Sequence, residues 1–461
     1  MRINESLTLQ DLEKSLSHFF DVSGKKIKAL HDSWDLKNGT PVFTSNGRYT
    51  AKGWTEWTQG FMYGWAILQF DATDDESFLE IGRKSTVDYM APHVSHIGVH
   101  DHGFNNVSTY GNLRRLMLEG RLSFNEWELN FYELALKISG AVQASRWSTL
   151  NDGTGYIYSF NGPQSLFIDT IRSLRSLSLA YNLGHTLMIE GDQPISLLDR
   201  LIQHSKNTAR YNIFYGEGRD TYDIKGRVAH ESIFNPVNGA YRCPSSQQGY
   251  CAFSTWTRGL AWAILGYAEQ LEFISKLSDK ELDPYGGREE VVNFMLKAAT
   301  ATADFYLKNT ALDGIPYWDT GAPGLVELEG WRDRPADPYN SKEPVDSSAA
   351  SIAAQGLLRL ASYLKQNGNP KGQQYFQAAL TVSKTLFSPP YLSEDAKHQG
   401  LILHSIYHQP NGWDYIPEGS LVPNGESSLW GDYHAVELAV YLKRLLEEKE
   451  FSFDGKFHVL K

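Results

Sequence analysis

Six stretches of this 461-residue chain, starting near Trp57, Asn112, Asp169, Trp256, Asp346 and Trp430, are rich in Gly, Ala and Ser and almost continuously apolar. A helix that is apolar on every side has to be buried. Between these stretches lie amphipathic, charged segments such as Thr8 to Leu30, which sets Leu12, Leu16, Phe19 and Phe20 on one side. Buried helices alternating with amphipathic ones predict an all-α, double-layered toroid. The polar groups that enter each inner helix then gather at one end of the ring, where they would form a pocket.

The connecting segments add detail. The polar stretch from Asp35 to Gly53 leads into WTEWTQGFMYGWAILQF, and Glu76 to Met90 reads as the return helix. HIGVHDHGFNNVSTYGN reads as an unusual non-helical loop feeding a helix from Leu113 to Leu118. Ser123 with Glu126 has the form of a capping box. Asp169 falls in the early turn of a helix, and Pro194 to His204 starts another. Strands are expected only between Arg210 and Gln247, as short excursions that include His230. Asp346 is expected to cap the helix that follows it.

Length alone permits one large domain or two to three ordinary ones; the toroid takes residues 1–461 as a single domain. A formal charge of −11 with no Lys/Arg-rich run argues against nucleic acid. No run is long and apolar enough to span a bilayer, and MRINESLTLQDLEKSL lacks an apolar signal region. Cys243 and Cys251, the two cysteines, lack zinc-site spacing and read as free thiols. The expectation is a soluble, cytoplasmic protein with no cofactor, no metal, no nucleic acid and no membrane partner; a homodimer is left open.

Chemistry concentrates in QQGYCAFSTWTRGLAWAILGY, Gln247 to Tyr267. Arg258 and Trp262 stand four apart on a helix and so leave one face a turn apart. A guanidinium fork grips a carboxylate, and an indole covers the apolar face of a sugar ring. The pair therefore suits an anionic sugar. Gln248, Ser254 and Trp256 stand on the loop that enters this helix.

WTQGF from Trp57, HDHGF from His100, LFIDT around Asp169, QQGYCAFSTWTRGLAW from Gln247, PYWDTGAP from Pro316, DSSAASIAAQGLL from Asp346 and ESSLWGDYHAVELAVYL from Glu426 resemble, in order, glycoside hydrolase family 88, the unsaturated glucuronyl hydrolases. The resemblance implies an (α/α)6 barrel with short β excursions. It also implies hydration of the C4=C5 double bond of a 4,5-unsaturated uronic acid at the non-reducing end of lyase-made oligosaccharides. By motif, Asp169 resembles the family's acid/base and Asp101 its carboxylate partner. Two carboxyls facing one pocket keep one of them protonated near neutrality, because both cannot ionise cheaply side by side. The same transfer makes His100, His230, Gln248 and Arg258 candidate ligands of the sugar, and Trp57, Phe61 and Trp262 its walls. His404 matches more loosely, in competition with His408.

Several positions depart from the family pattern: Gln247 stands where a His is common, Cys251-Ala252-Phe253 replaces a stretch that usually carries an acid, TIRSLRSL follows Asp169, and Gly330 to Lys342 looks like an insertion. Several of these are expected near the leaving sugar. Alternative readings are the related unsaturated rhamnogalacturonyl hydrolases, another uronide-active enzyme on the same frame, and a non-catalytic uronide-binding toroid. A metal enzyme using His100, Asp101 and His102 is disfavoured, since consecutive residues rarely all face one ion.

Overall fold

In the computed structural model, which describes residues 1–53 and 56–455, two rings of helices alternate along the chain. The inner ring consists of Gln59–Thr73, residues 102–118, residues 170–182, Thr257–Ile274, Ser347–Gln366 and Leu429–Leu446. Successive inner helices pack side by side, and Leu429–Leu446 closes the ring on Gln59–Thr73. The outer ring is formed by Glu13–Ser33, Glu76–Tyr89, Glu126–Ser145, Leu197–Tyr211, Gly287–Lys308 and Lys371–Leu386. The predicted barrel is therefore present. One apolar core runs from Leu7 to Phe453, and the inner helices are buried along nearly their whole length.

Small residues set how closely the inner helices approach. A Cβ on Gly60 would lie 2.2 Å from the Asn105 carbonyl oxygen, and one on Gly103 would lie 2.1 Å from that of Ser173. Backbone there packs on backbone. The helix at residues 102–118 corrects the expectation of a loop: HDHGFNNVSTYGN is helical from His102, with a π turn at Val107–Gly111. Asn, Ser, Thr and Gly are poor helix formers, but here they are buried and their side chains are used. Asn105 Oδ1 accepts from the Gly60 N–H at 2.7 Å, and Asn106 Nδ2 donates to Ser139 Oγ at 2.9 Å.

The Ser123–Glu126 box does not start its helix; Asn125 caps it instead, accepting from the N–H groups of Trp127 and Glu128. Asp346 caps Ser347–Gln366 as expected. Strands also extend beyond the expected region. Pro41–Ser45 pairs with Arg48–Ala51 through Asn46-Gly47, both at positive φ, and Trp147–Thr149 pairs with Gly155–Ile157. Leu187–Ile189 pairs with Gln193–Ile195, where a helix start was read. The excursion that matters for the pocket is the three-stranded sheet of Ser165–Phe167, Glu231–Phe234 and Tyr241–Ser245. It delivers Asp169 and His230 side by side, with the Ile168 N–H donating to the His230 carbonyl at 2.9 Å.

Candidate active site

The N-terminal ends of four inner helices, those starting at Gln59, His102, Thr170 and Thr257, converge on a cavity of about 270 Å³. Asp101 immediately precedes the helix starting at His102, and Asp169 precedes the one starting at Thr170. Asp169 thus stands before its helix rather than in the helix's early turn. Neither carboxyl caps its own helix, so both are available to the pocket they line.

Between them stands His100. Its Nε2 lies 3.0 Å from Asp169 Oδ1 and 3.7 Å from Asp101 Oδ1, and the ring is buried. The backbone of His100 is fixed by Gln143 Nε2 and Ser173 Oγ, which donate to its carbonyl at 2.8 and 2.7 Å. Phe160 stacks on the ring and Phe167 meets it edge-on. Burial pulls the His100 pKa down, but the charges of Asp101 and Asp169 outweigh it and leave it above 6.5. Burial raises the Asp101 pKa, and the neighbouring Asp169 adds to the rise against the opposing pull of His100. For Asp169 burial also raises, but the charge and hydrogen bond of His100, with the charge of Arg258, hold it below the ordinary carboxylate value. Asp169 is thus ionised and paired with His100, and Asp101 is the more readily protonated carboxyl.

Of the other candidates, Trp57, Gln248, Arg258 and Trp262 line the cavity. The Arg258 fork that was expected to face a sugar carboxylate is taken up by protein acceptors. Its Nη1 donates to Asp346 Oδ2 at 3.2 Å and to the Ile406 carbonyl, and its Nη2 donates to Gln248 Oε1 at 2.6 Å and the Tyr407 carbonyl at 2.8 Å. The guanidinium lies between the rings of Trp256 and Trp430. Its charge still reaches Asp169, and by holding Gln248 Oε1 it turns the other end of that amide, a donor, outward.

His230 stands behind the wall rather than on it. Its Nδ1 accepts from the N–H groups of Gln247 and Gln248 at 3.0 and 3.4 Å, which places its proton on Nε2. Burial lowers its pKa to about 3, so it is a neutral organiser of the QQG turn. Phe61 is fully buried beneath Trp57, against Phe104, Tyr433 and His434. His404 is away from the cavity, held by the Gly425 N–H and flanked by Tyr339 and Tyr391; the loop histidine on the wall is His408. His102 points away too, bonded to Ser139 and the His96 carbonyl, so His100, Asp101 and His102 do not converge on one point.

The wall also contains Phe104, Phe160, Tyr407 and Trp413. Sequence reasoning passed over these because each lies in a segment read for another purpose. Tyr407 and Trp413 do share one signal, two aromatics six apart in a Gly- and Pro-containing loop before an inner helix. Asp414 holds that loop, accepting from the N–H groups of Tyr407 and His408. Of the departures, only Gln247 lines the cavity; Arg172 and Arg175 are buried inside the barrel, and Phe253 packs against Tyr222 on the surface.

No family model matches the chain. The unsaturated glucuronyl hydrolase of Bacillus sp. (strain GL1) is 25% identical over 411 residues, covering 87% of this chain and 90% of that protein. The unsaturated chondroitin disaccharide hydrolase of Streptococcus agalactiae serotype III is 24% identical over 425 residues, covering 90% and 89%. The solved structure of the unsaturated glucuronyl hydrolase from Bacillus sp. GL1 matches with a TM-score of 0.69 at 22% identity, over 92% of this chain and 95% of that one. In sequence over most of its length, and in its (α/α)6 barrel, the chain resembles the unsaturated glucuronyl hydrolases, which are glycoside hydrolases.

Proposed function

We propose that this chain, acting as a single catalytic domain of glycoside hydrolase family 88 type, hydrates the C4=C5 bond of a 4,5-unsaturated glucuronic acid and so releases it from the non-reducing end of a lyase-generated oligosaccharide. The observation that carries the reading is the carboxyl–imidazole–carboxyl group of Asp101, His100 and Asp169 on an aromatic-walled cavity. A bound uronate brings a further negative charge beside this group, which favours the protonated carboxylic acid. The proton on His100 Nε2 then passes along the 3.0 Å contact to Asp169. Asp169 delivers it to C4 and, as carboxylate, takes a proton from the water that adds at C5. The product is a hemiketal; breaking its C5–O5 bond leaves a ketone at C5 and a hemiacetal at C1, which expels the leaving sugar as an alcohol. Asp101 keeps the imidazole between two acceptors. Gln248 and the helix N-termini offer donors to the uronate, while Trp57 and Trp262 cover its ring.

The reading includes a cytoplasmic location, which the two free cysteines support. Among the described residues, no helix is long and apolar enough to cross a membrane. The test is to incubate the protein with unsaturated disaccharides from chondroitin, hyaluronan, heparin, gellan, ulvan and pectin and follow the ultraviolet band of the conjugated enol-carboxylate. Decay of the band for a glucuronyl member is expected, and the relative rates name the substrate. Decay only for the pectin-derived member would move the reading to the rhamnogalacturonyl side, and binding without decay would make the chain a uronide-binding protein.

A further inference from the structure

Helix Glu126–Ser145 belongs to the outer ring, yet its solvent side is apolar. Trp127, Phe131, Leu134 and Ile138 are 85, 41, 56 and 38% exposed, and Phe124 one turn before them is 68% exposed. The 4-3-4 spacing repeats every 3.5 residues, the period of a helix–helix seam rather than of a helix that faces water. The opposite side is buried as well, through Tyr132, Ala135, Leu136 and Ser139. Between this helix and Glu76–Tyr89, the seam opens into a groove of about 740 Å³. Exposed contiguous apolar surface of this kind marks an interaction site.

We propose that this seam is a self-association surface, on which a second copy of the chain lays the same helix antiparallel. Three observations select a second copy. The seam has the heptad period that packs against its own kind. Its charges are self-complementary: Glu126 and Glu128 lie at the N-terminal end and Lys137 lies toward the other. The antiparallel register that sets Trp127 against Ile138 and Phe131 against Leu134 therefore also brings Glu128 beside Lys137 of the copy. Such a pairing is isologous and closes on itself as a two-fold dimer. Finally, the five seam side chains present roughly 600 Å², taking ~150–250 Å² for each aromatic one, and a standard interface takes about 800 Å² per partner. The seam supplies the apolar centre, with Arg83 and Lys84 at its rim.

Sedimentation of the full chain at about 50 µM is expected to give twice the 52.0 kDa chain mass. Leu134→Glu, and independently Trp127→Glu, should raise the dimer dissociation constant by about 30-fold or more, because each places a charge in the desolvated centre. Turnover should be unchanged, since none of these residues lines the cavity. Lys137→Glu should weaken the dimer, and combining it with Glu128→Lys should restore it. A wild-type chain that is monomeric at that concentration overturns the proposal, as does a dimer that survives both Leu134→Glu and Trp127→Glu.

Discussion

At the scale of single residues, the proposed chemistry rests on where one proton sits. His100 is raised above 6.5 by two carboxyls, and Asp169 is held down by His100, so the donor form is the protonated pair. As pH rises through the raised His100 value that proton is lost, and kcat/KM should fall on an alkaline limb above 6.5. His100→Gln should lower kcat/KM by about 10²-fold or more and remove the limb; a limb that persisted in the variant would assign the proton elsewhere. Asp101 and Asp169 were readable from HDHGF and LFIDT. That His100 bridges them was not, because residues 100 and 169 meet only where the second and third inner helices pack together and through the Ser165–Phe167 strand. Arg258 teaches the reverse: its spacing to Trp262 was right for a shared face, but local spacing is blind to Asp346, Gln248 and the 406–407 carbonyls, which reach it from distant parts of the chain.

At the scale of elements, the two carboxyls of the proposed mechanism are set by how two inner helices touch. Gly103 packs its α-carbon against the Ser173 backbone, two residues after Asp101 on one helix and four after Asp169 on the other. Gly103→Ala should therefore cost about 2–3 kcal/mol of stability and depress turnover more than a change of equal cost elsewhere. Denaturant melts paired with rate measurements check this, and a fully stable, fully active variant would contradict it. The six apolar stretches announced the inner ring because burial on all sides leaves a plain compositional trace. The first half of helix 102–118, residues 102–111, did not announce itself, since its Asn, Ser and Gly are justified only by neighbours such as Gly60 and Ser139. The hairpin at Asn46-Gly47 had a readable turn signal that was passed over. TIRSLRSL acquires a role inside the barrel: Arg172 pairs with Glu269 and Glu437 at 3.1 and 2.9 Å, and Arg175 with Glu437 at 3.5 Å, tying three inner helices together.

At the scale of the whole molecule, burial of neutral histidines sets the acid limit. Burial lowers His93, His102, His404 and His408 to about 4, and His204, His230 and His434 to about 3. Their folded values lie below the unfolded 6.5, so the unfolded chain binds more protons and stability is lost as pH falls from 6.5 toward 4. Asp319 and Asp414, raised to about 6, and Glu272, raised to about 7, push the other way, as do the raised Asp101, Glu269, Asp313 and Asp432, while Asp71 and Glu437, held low by arginines, add to the loss in acid. Tm should drop steeply between pH 6.5 and 4 in a thermal unfolding series; a flat or rising Tm would show that these histidines are not buried neutral.

The central claim concerns Asp169, and the most direct measurement compares Asp169→Asn with the wild type on the glucuronyl disaccharide that the wild type consumes fastest. The rate of ultraviolet band loss and the calorimetric binding constant are read on the same samples. The account predicts that turnover falls by about 10³-fold or more while Kd stays within about threefold. Near-normal turnover in the variant would contradict it.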